Sequence, residues 1–454
     1  MTVNTAKYTA TQDLVDLYNG NLAMWEKDSP EWMNAARKEA VEHFQKLGIP
    51  SSRNENYKYT DLRKWFQADY NVYPTYVERD MEMRELFKCN VPEMDTALVL
   101  TANGWYSHKN KAIALPEGVI MGSLAEIAQS NPEVISEYYN QLADNTNDPL
   151  AALNTMLAKD GIVFYVPNNV VVEQPIQIIN MLQSHEDAFA TQRNLFIIGR
   201  NAEAKIIFCD HTMSGHRFLA NNLTEIFVGE NATFDFYNLQ NQHNESGNLT
   251  STYVKQAASS TFNSNVATLH GGLVRNNLIV RLAGEGAEAN LSGMSLADGK
   301  QHIDNFLSIN HEVGRCNSNQ LYKNVLDDRS SGAFTGKIHV QRDAQQTNAF
   351  QRNANVLASE KAKMNTKPQL VIDANDVKCS HGATVGRIDE DALFYLKSRG
   401  INDKEARLML MLAFTHEVIQ NIRVESLRDR LDDLVEKRFR GEISKCHNCA
   451  YRCG

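Results

Sequence analysis

The chain lacks the features that mark a membrane, secreted or nucleic-acid-binding protein. Its longest apolar run, Leu408 to Phe414, is far shorter than the roughly 20 residues that a membrane-spanning helix needs. The first residues, Met1 to Lys7, carry no charged-then-apolar signal pattern. With 55 acidic and 46 basic residues the net charge is −9, which argues against a nucleic-acid-binding surface over the whole protein. We therefore expect a cytoplasmic protein that binds neither membrane nor nucleic acid.

Cysteine is too scarce and too irregularly placed for a disulfide framework. The 454 residues include seven cysteines, an odd number, and four of them are widely scattered: Cys89, Cys209, Cys316 and Cys379. This usage predicts reduced thiols. The other three crowd the last nine residues, as Cys446, Cys449 and Cys453. Their spacing is compatible with a metal or cluster site, but thiolate spacing alone is a modest signal, and the simpler interpretation is an exposed, flexible tail.

Common catalytic motifs are also missing. Gly332 to Lys337 resembles a phosphate-binding loop, but one residue is missing between the glycines, and Ile338 stands where a magnesium-binding hydroxyl is needed. The sequence contains no GxSxG elbow, HExxH pair or EF-hand loop. These absences indicate a chain that does not hydrolyse nucleotide by itself and is not an enzyme of those classes.

The length predicts two or three structural units. Residues 1–155 have a mainly helical pattern, with Ser29 as N-cap and Pro30 at the first turn of a helix that extends to Gly48. Short strands are expected around 98–100 and 113–115. Residues 386–454 are helical again: Asp389 caps one helix, Asn402 and Glu405 form a capping box for the next, and an amphipathic helix covers about 424–439.

Residues 156–385 have a sequence pattern typical of β structure, with short runs of β-branched and aromatic residues and almost no helical periodicity. Similar turns recur at Gly199, Gly229 and Gly284, which lie 30 (229 − 199) and 55 (284 − 229) residues apart. Irregular recurrence of strand–turn units predicts stacked β coils that bury their inward faces on one another. A β-sandwich is the alternative, although the hairpin dipeptides that it requires are few.

Cys379 and His381 are the most informative pair in the chain. If their segment is extended, side chains two residues apart point to the same face. A soft sulfur and an imidazole nitrogen together form a partial site for iron or zinc, which needs further ligands from elsewhere, such as another subunit. A strand-end packing pair is the alternative. His302 and Asp304 share a face that His311 does not, so His311 is expected to be a hydrogen-bonded core or interface residue.

Several segments together resemble the SufB/SufD family of the SUF iron–sulfur cluster assembly system. The resemblance is strongest over 367–389 and 393–401, and it continues upstream in 55–60, 320–323, 334–337 and 344–347. SufB-like sequences have a glutamate after the histidine that matches His381, where this chain has Gly382. They also have a sulfur-accepting cysteine shortly before this block, whereas 352–368 contains none. Both departures favour the SufD branch.

The resemblance implies a mainly β fold: a right-handed parallel β-helix core between N-terminal and C-terminal helical regions. It implies a non-catalytic scaffold that pairs through its β-helix with a SufB-like paralogue and docks a SufC-like ATPase on its C-terminal helices. The isolated chain is expected to be a homodimer. A nascent iron–sulfur cluster, or iron, would lie at the partner interface, with His381 as ligand or iron-handling residue and Cys379 as its neighbour. Nothing is implied for the cysteine-rich tail.

Two other classes of protein remain open from the sequence. A β-helix carbohydrate-active enzyme predicts an exposed groove lined with carboxylates and aromatics, and the Asn-, Gln- and Ser-rich central region offers little of this. A zinc-binding structural protein predicts stoichiometric zinc, with the tail thiols or Cys379 and His381 as ligands.

Overall fold

The computed structural model describes residues 11–77, 96–110 and 112–442. Strands hold 41% of the residues and helices 24%, so the fold is mainly β. The helices are α1 Thr11–Gly20, α2 Leu22–Glu26, α3 Glu31–Leu47, α4 Arg63–Phe66, α5 Leu124–Ser130, α6 Pro132–Ile135, α7 Pro149–Leu157, α8 Glu390–Ser398, α9 Asp403–Ile419 and α10 Glu425–Arg440, with a 3₁₀ turn at Glu55–Tyr57.

The strands form two long sheets. They are β1 Asn71–Val72, β2 Ala97–Ala102, β3 Trp105–Tyr106, β4 Ile120–Ser123, β5 Ile162–Val166, β6 Ile176–Leu182, β7 Ala188–Ile198, β8 Glu203–Thr212, β9 Phe218–Val228, β10 Thr233–Asn241, β11 Ser246–Gln256, β12 Thr261–His270, β13 Leu273–Leu282, β14 Glu288–Ala297, β15 His302–His311, β16 Asn317–Leu326, β17 Ser331–Val340, β18 Thr347–Leu357, β19 Lys363–Ile372 and β20 Val377–Gly386.

Odd-numbered strands from β5 to β19, with β1 and β4, make sheet I, and even-numbered strands from β6 to β20, with β2 and β3, make sheet II. Apart from two short antiparallel pairs, β2–β3 and β4–β5, the described ladders are parallel. The chain alternates between the two sheets and forms a parallel β-solenoid of about seven turns. This confirms the predicted stack of β coils and excludes a sandwich, whose antiparallel strands would be joined by hairpins.

The recurrent glycines lie at one corner of this solenoid. The amides of Gly199 and Gly229 donate to carbonyls one coil below, at Val166 and Ile198. A further coil turns at this corner without glycine, and Ser259 there adopts a φ of 55°. This extra corner, between Gly229 and Gly284, explains why the second interval is nearly twice the first.

Aromatic and aliphatic residues fill the interior. Phe234 and Phe262 stack one above the other with ring centroids 6.3 Å apart, because they are register partners on β10 and β12. Helices of the N-terminal region cover the outer face of sheet I, and α9 and α10 cover the outer face of sheet II. The solenoid is therefore enclosed on both faces, while its final coil remains open.

The capping residues predicted from the sequence agree with the structure for α8 and α9 but were wrong for α3, whose N-cap is Pro30 and not Ser29. The side chain of Asp389 accepts from the amides that start α8, and Asn402 Oδ1 accepts from the Glu405 amide at 2.9 Å. A strand occurs at 97–102, as expected around 98–100. The strand expected at 113–115 was wrong: this segment packs irregularly on the core, and Pro116 next to it has no N–H to donate to a ladder.

Candidate functional site

The candidate site lies on β20, the last strand of sheet II. This strand pairs with β18 along one side and has no strand partner among the described residues along the other. Val377, Thr384 and Val385 favour the extended conformation, and the strand follows a turn over 373–376. Most of its side chains are exposed. The site residues are therefore placed at an open end of the solenoid.

Cys379 and His381 occupy the inner face of this strand, as their spacing predicts. Their register partners on β18 are Ala349 and Gln351, both buried and directed to the interior. Cys379 is half-buried against the apolar cluster that closes the last coil, which includes Ile338. His381 is exposed. The two side chains share one face, with the thiol anchored and the imidazole accessible.

The thiol of Cys379 is not activated in this environment. Burial raises its pKa above the ordinary value, and a backbone hydrogen bond involving Ala349 opposes this rise only in part. A thiolate is the form that binds metal or attacks as a nucleophile. Cys379 therefore needs an incoming cation, or a change of surroundings, before it can act as a ligand.

Two further predictions concern His311 and the cysteine-rich tail. His311 is buried and its Nε2 lies 2.9 Å from the Ser318 hydroxyl, which confirms it as a hydrogen-bonded core residue. Within 11–77, 96–110 and 112–442 no group of three or more His, Cys, Asp or Glu side chains is arranged to hold a metal ion. Cys446, Cys449 and Cys453 lie outside the described residues. Their role stays a prediction.

The main chain of β20 offers hydrogen bonds at its free side. In sheet II the Asn348 amide donates to the Cys316 carbonyl, and this register continues into β20. The main-chain N–H and C=O groups of Lys378 and of every second residue after it therefore point to β18. Val377 and each second residue after it, including Cys379 and His381, turn their N–H and C=O groups to the open edge. An added strand can pair along the whole of β20.

The corresponding edge of sheet I is interrupted. The amides of Lys363 and Asp373 donate to β17, so the even-numbered residues of β19 face the open side. One of them is Pro368, which has no N–H. Proline on an edge strand with its nitrogen towards solvent is a common means of limiting strand addition. The neighbouring Lys367 also forms an ion pair with Glu55 of the N-terminal region.

The outer face beside β20 carries a polar groove of about 630 Å³. Its floor includes a ladder of amide side chains: Asn319 donates to Asn290, and Asn290 to Asn263, each at 3.1 Å. Beyond the amide ladder, the groove is lined by Phe350 of β18 and Ser380 of β20. The groove lies between the terminal strand and the C-terminal helices, and it contains no pair of facing carboxylates among its described lining residues.

Polar contacts connect the C-terminal helices to the last coils. The Lys323 ammonium lies 2.5 Å from Glu417 and donates to the Phe414 carbonyl at 2.8 Å. Arg352 on β18 also pairs with Glu417. At the other end of the helical region, Phe394 is 74% exposed and Tyr395 56% exposed on α8. The helices are thus attached to the strands before β20 and present an aromatic surface.

Sequence reasoning did not identify Gln351, Pro368 or Phe394 as functional candidates. Gln320 and Gln351 are 31 residues apart, as their ladder hydrogen bond records, which is about one coil. This spacing was a usable signal once the coil period was known. The exposure of Phe394 has no local sequence signal, because it depends on which helix faces are covered.

Comparisons with known proteins agree with this geometry. A model of the SUF system FeS cluster assembly SufBD core domain matches residues 180–414, and a model of the SufBD protein N-terminal region matches residues 8–178. No described helix is both long and apolar enough to cross a bilayer.

Relatives extend over nearly the whole chain. An iron–sulfur cluster assembly SufBD family protein of Synechocystis sp. is 30% identical, with 88% of this chain and 90% of the relative covered. The SufD protein of Escherichia coli is 27% identical, with 89% and 93% covered. The SufB protein of Bacillus subtilis is 22% identical, with 92% and 91% covered. The chain belongs to the SufBD family of iron–sulfur cluster assembly proteins.

Proposed function

We propose that the chain is a SufD-like, non-catalytic scaffold subunit that helps to assemble iron–sulfur clusters in the cytoplasm. Relatives named SufD and SufB both match, so the choice of branch depends on particular residues. Gly382 after the histidine and the absence of cysteine from 352–368 support the SufD branch. The family membership supports cluster assembly over a carbohydrate-active enzyme or a zinc-binding structural protein.

One observation carries the proposal: Cys379 and His381 share the inner face of a terminal strand whose other edge is open. Two ligands are too few for a closed site. A second solenoid that adds a strand to β20 would bring further ligands to the same face. The nascent cluster is then cargo that is built at the interface and released from it.

We assign the open edge to a SufB-like paralogue and the C-terminal helices to a SufC-like ATPase. In isolation a second copy would occupy the same edge and give a homodimer. The exposed Phe394 and Tyr395 support the ATPase assignment, because interface anchors are commonly aromatic. Movement of the ATPase would displace α9, which contacts β16 and β18 through Lys323 and Arg352. The displacement would then reach the strands next to His381.

Anaerobic co-expression with SufB-like and SufC-like partners tests this proposal. The cluster content of the purified complex is compared for wild type, His381→Ala and a control, His339→Ala, which removes a histidine that pairs with Asp373 on the neighbouring sheet. We expect His381→Ala to lose most of the cluster while it still co-purifies with its partners. Equal cluster content in all three would contradict the proposal.

A nucleotide-dependent cross-link tests the coupling to the ATPase. A thiol-reactive cross-linker is directed to Cys379 with and without ATP. We expect the yield to change with nucleotide, because the helices are attached to the strand next to the site. A yield that does not depend on nucleotide would contradict the transmission of movement.

A further inference from the structure

A glutamine ladder lies directly below the candidate site. Gln351 is the register partner of His381, and both residues face the interior. Gln351 Nε2 donates to Gln320 Oε1, one coil further down, at 2.8 Å. Both glutamines are only 3% exposed. Across the strands, the buried polar group next to His381 is therefore the carboxamide of Gln351, which is held in place by Gln320.

This carboxamide has an unused acceptor. Among the residues that the structure describes, Gln351 Oε1 is buried without a hydrogen-bond partner. A buried acceptor without a partner costs about 1–3 kcal/mol, so a donor that reaches Gln351 Oε1 would be favoured. The imidazole of His381 likewise makes no hydrogen bond to another described residue. Adjacent strands are about 4.8 Å apart, which allows the ring to reach the carboxamide by rotation of its side chain.

Gly336 makes room for this arrangement. A Cβ atom built on Gly336 would lie 2.1 Å from Gln351 Nε2, which is far inside van der Waals contact. Any other residue at this position would displace the carboxamide. The Gly332–Lys337 segment, which resembles a phosphate-binding loop in sequence, thus has a structural reason for its second glycine.

We propose that Gln351 is a positioning residue for His381: its Oε1 accepts the ring N–H that is remote from the metal and so directs the other ring nitrogen to the cluster or iron. This inference rests on the proposed function of His381. Histidines that ligate metals usually donate their second N–H to an oxygen acceptor, which fixes the tautomer and the ring orientation. Loss of such a partner typically weakens metal binding about 10–100-fold.

The test compares four forms of the chain: wild type, Gln351→Met, Gln351→Glu and Phe350→Leu. Methionine keeps the volume and removes the acceptor, glutamate keeps an acceptor, and Phe350 is the outward-facing neighbour on the same strand. Each is purified in complex with the SufB-like and SufC-like partners, and its affinity for Fe²⁺ is measured. We expect Gln351→Met to bind about 10–100-fold more weakly. Gln351→Glu and Phe350→Leu should stay near wild type.

A spectroscopic readout separates positioning from a purely structural role. In the full chain with ¹⁵N-labelled histidine, the ring-nitrogen shifts of His381 report which nitrogen carries the proton. We expect a single dominant tautomer in wild type and in Gln351→Glu, and a mixture in Gln351→Met. If the methionine variant does not fold, Gln351→Asn takes its place, because the shorter side chain withdraws the acceptor and stays polar.

The outcomes distinguish this inference from the proposed function. If His381→Ala abolishes the cluster but Gln351→Met, correctly folded, keeps wild-type iron affinity and tautomer, Gln351 does not position the ring. If His381→Ala has no effect on the cluster, the proposed function itself fails, whatever the tautomer. Restoration by glutamate but not by methionine would support the assignment.

Discussion

The guanidinium of Arg193 donates to the carboxylate of Glu225 at 2.6 Å, and neither side chain is accessible to solvent. Both lie between sheet I and the N-terminal helices. Glu225 also accepts from the amides of Asn140, Leu142 and Ala143, so the pair attaches the N-terminal region to the solenoid.

Replacing Arg193 by Met should therefore destabilise the protein strongly. It leaves a buried carboxylate without its partner, which costs about 3–5 kcal/mol. The measurement is urea unfolding, with Arg217→Met as control. Arg217 pairs with Glu245 at 3.5 Å on the surface, and its loss should cost less than about 1 kcal/mol. Equal stability of the two variants would contradict the assigned role.

His311 should make the fold sensitive to acid. Burial lowers its pKa from an ordinary value of 6.5 to about 4. The unfolded chain binds the proton more readily, so this stability is complete above about pH 6.5 and is lost as the pH falls towards 4. The difference corresponds to about 3 kcal/mol at most. His311→Gln should flatten this part of the stability–pH curve in urea unfolding. An unchanged slope between pH 4 and 6.5 would contradict the prediction.

Ala383→Pro should weaken partner binding without unfolding the chain. Ala383 is one of the residues whose N–H faces the open edge of β20, so proline removes an external donor and leaves the pairing with β18 intact. Ala383→Val is the matched control, since it adds bulk and keeps the N–H. Affinity for the SufB-like paralogue, measured by calorimetry, should fall only for the proline variant. Equal affinities would argue against pairing along this edge.

Pro368→Thr should have the opposite effect at the other edge. Threonine supplies the N–H that β19 lacks and so makes that edge continuous. Sedimentation velocity on the isolated chain should show stronger self-association than in wild type. Gln369→Thr, whose N–H already faces β17, is the control and should behave like wild type. If Pro368→Thr and wild type associate equally, the proline does not limit strand addition.

Phe394→Ala should weaken binding of the SufC-like ATPase and leave the stability of the chain unchanged. A ring that is 74% exposed contributes little to the core, whereas an aromatic anchor at an interface is often worth 2 kcal/mol or more, about 30-fold in affinity. Tyr59→Ala, an exposed aromatic of the N-terminal region, is the control. ATPase binding that is equal in both variants would place the docking surface elsewhere.

Local chemistry made the helix starts and the coil corners predictable. Asp389 and Asn402 cap their helices through neighbours two or three residues away, so a short window of sequence contains the whole interaction. Glycine at the corners, as at Gly199, is visible for the same reason. The shared face of Cys379 and His381 also follows from a period of two within one strand.

The contacts that define the site's surroundings depend on register across coils, which the sequence does not display. Gln351 faces Gly336 and Gln320, from two different strands, only because the coils close after about 30 residues. The strand at 97–102 joins sheet II through β6, 79 residues later, in register Ala97↔Ile176. A missing N–H at Pro368 acquires meaning only when the open side of β19 is known.

Hydrogen bonds attach α9 to β12 and β16, so the distance between this helix and the last strand is set by a whole number of coils. Two strand spacings, about 10 Å, separate Lys323 on β16, which contacts α9, from His381 on β20. Corner loops can lengthen freely without altering this span. A duplicated or deleted coil between β16 and β20 would change this distance by one strand spacing, about 4.8 Å. A movement of α9 would then no longer reach the site at His381.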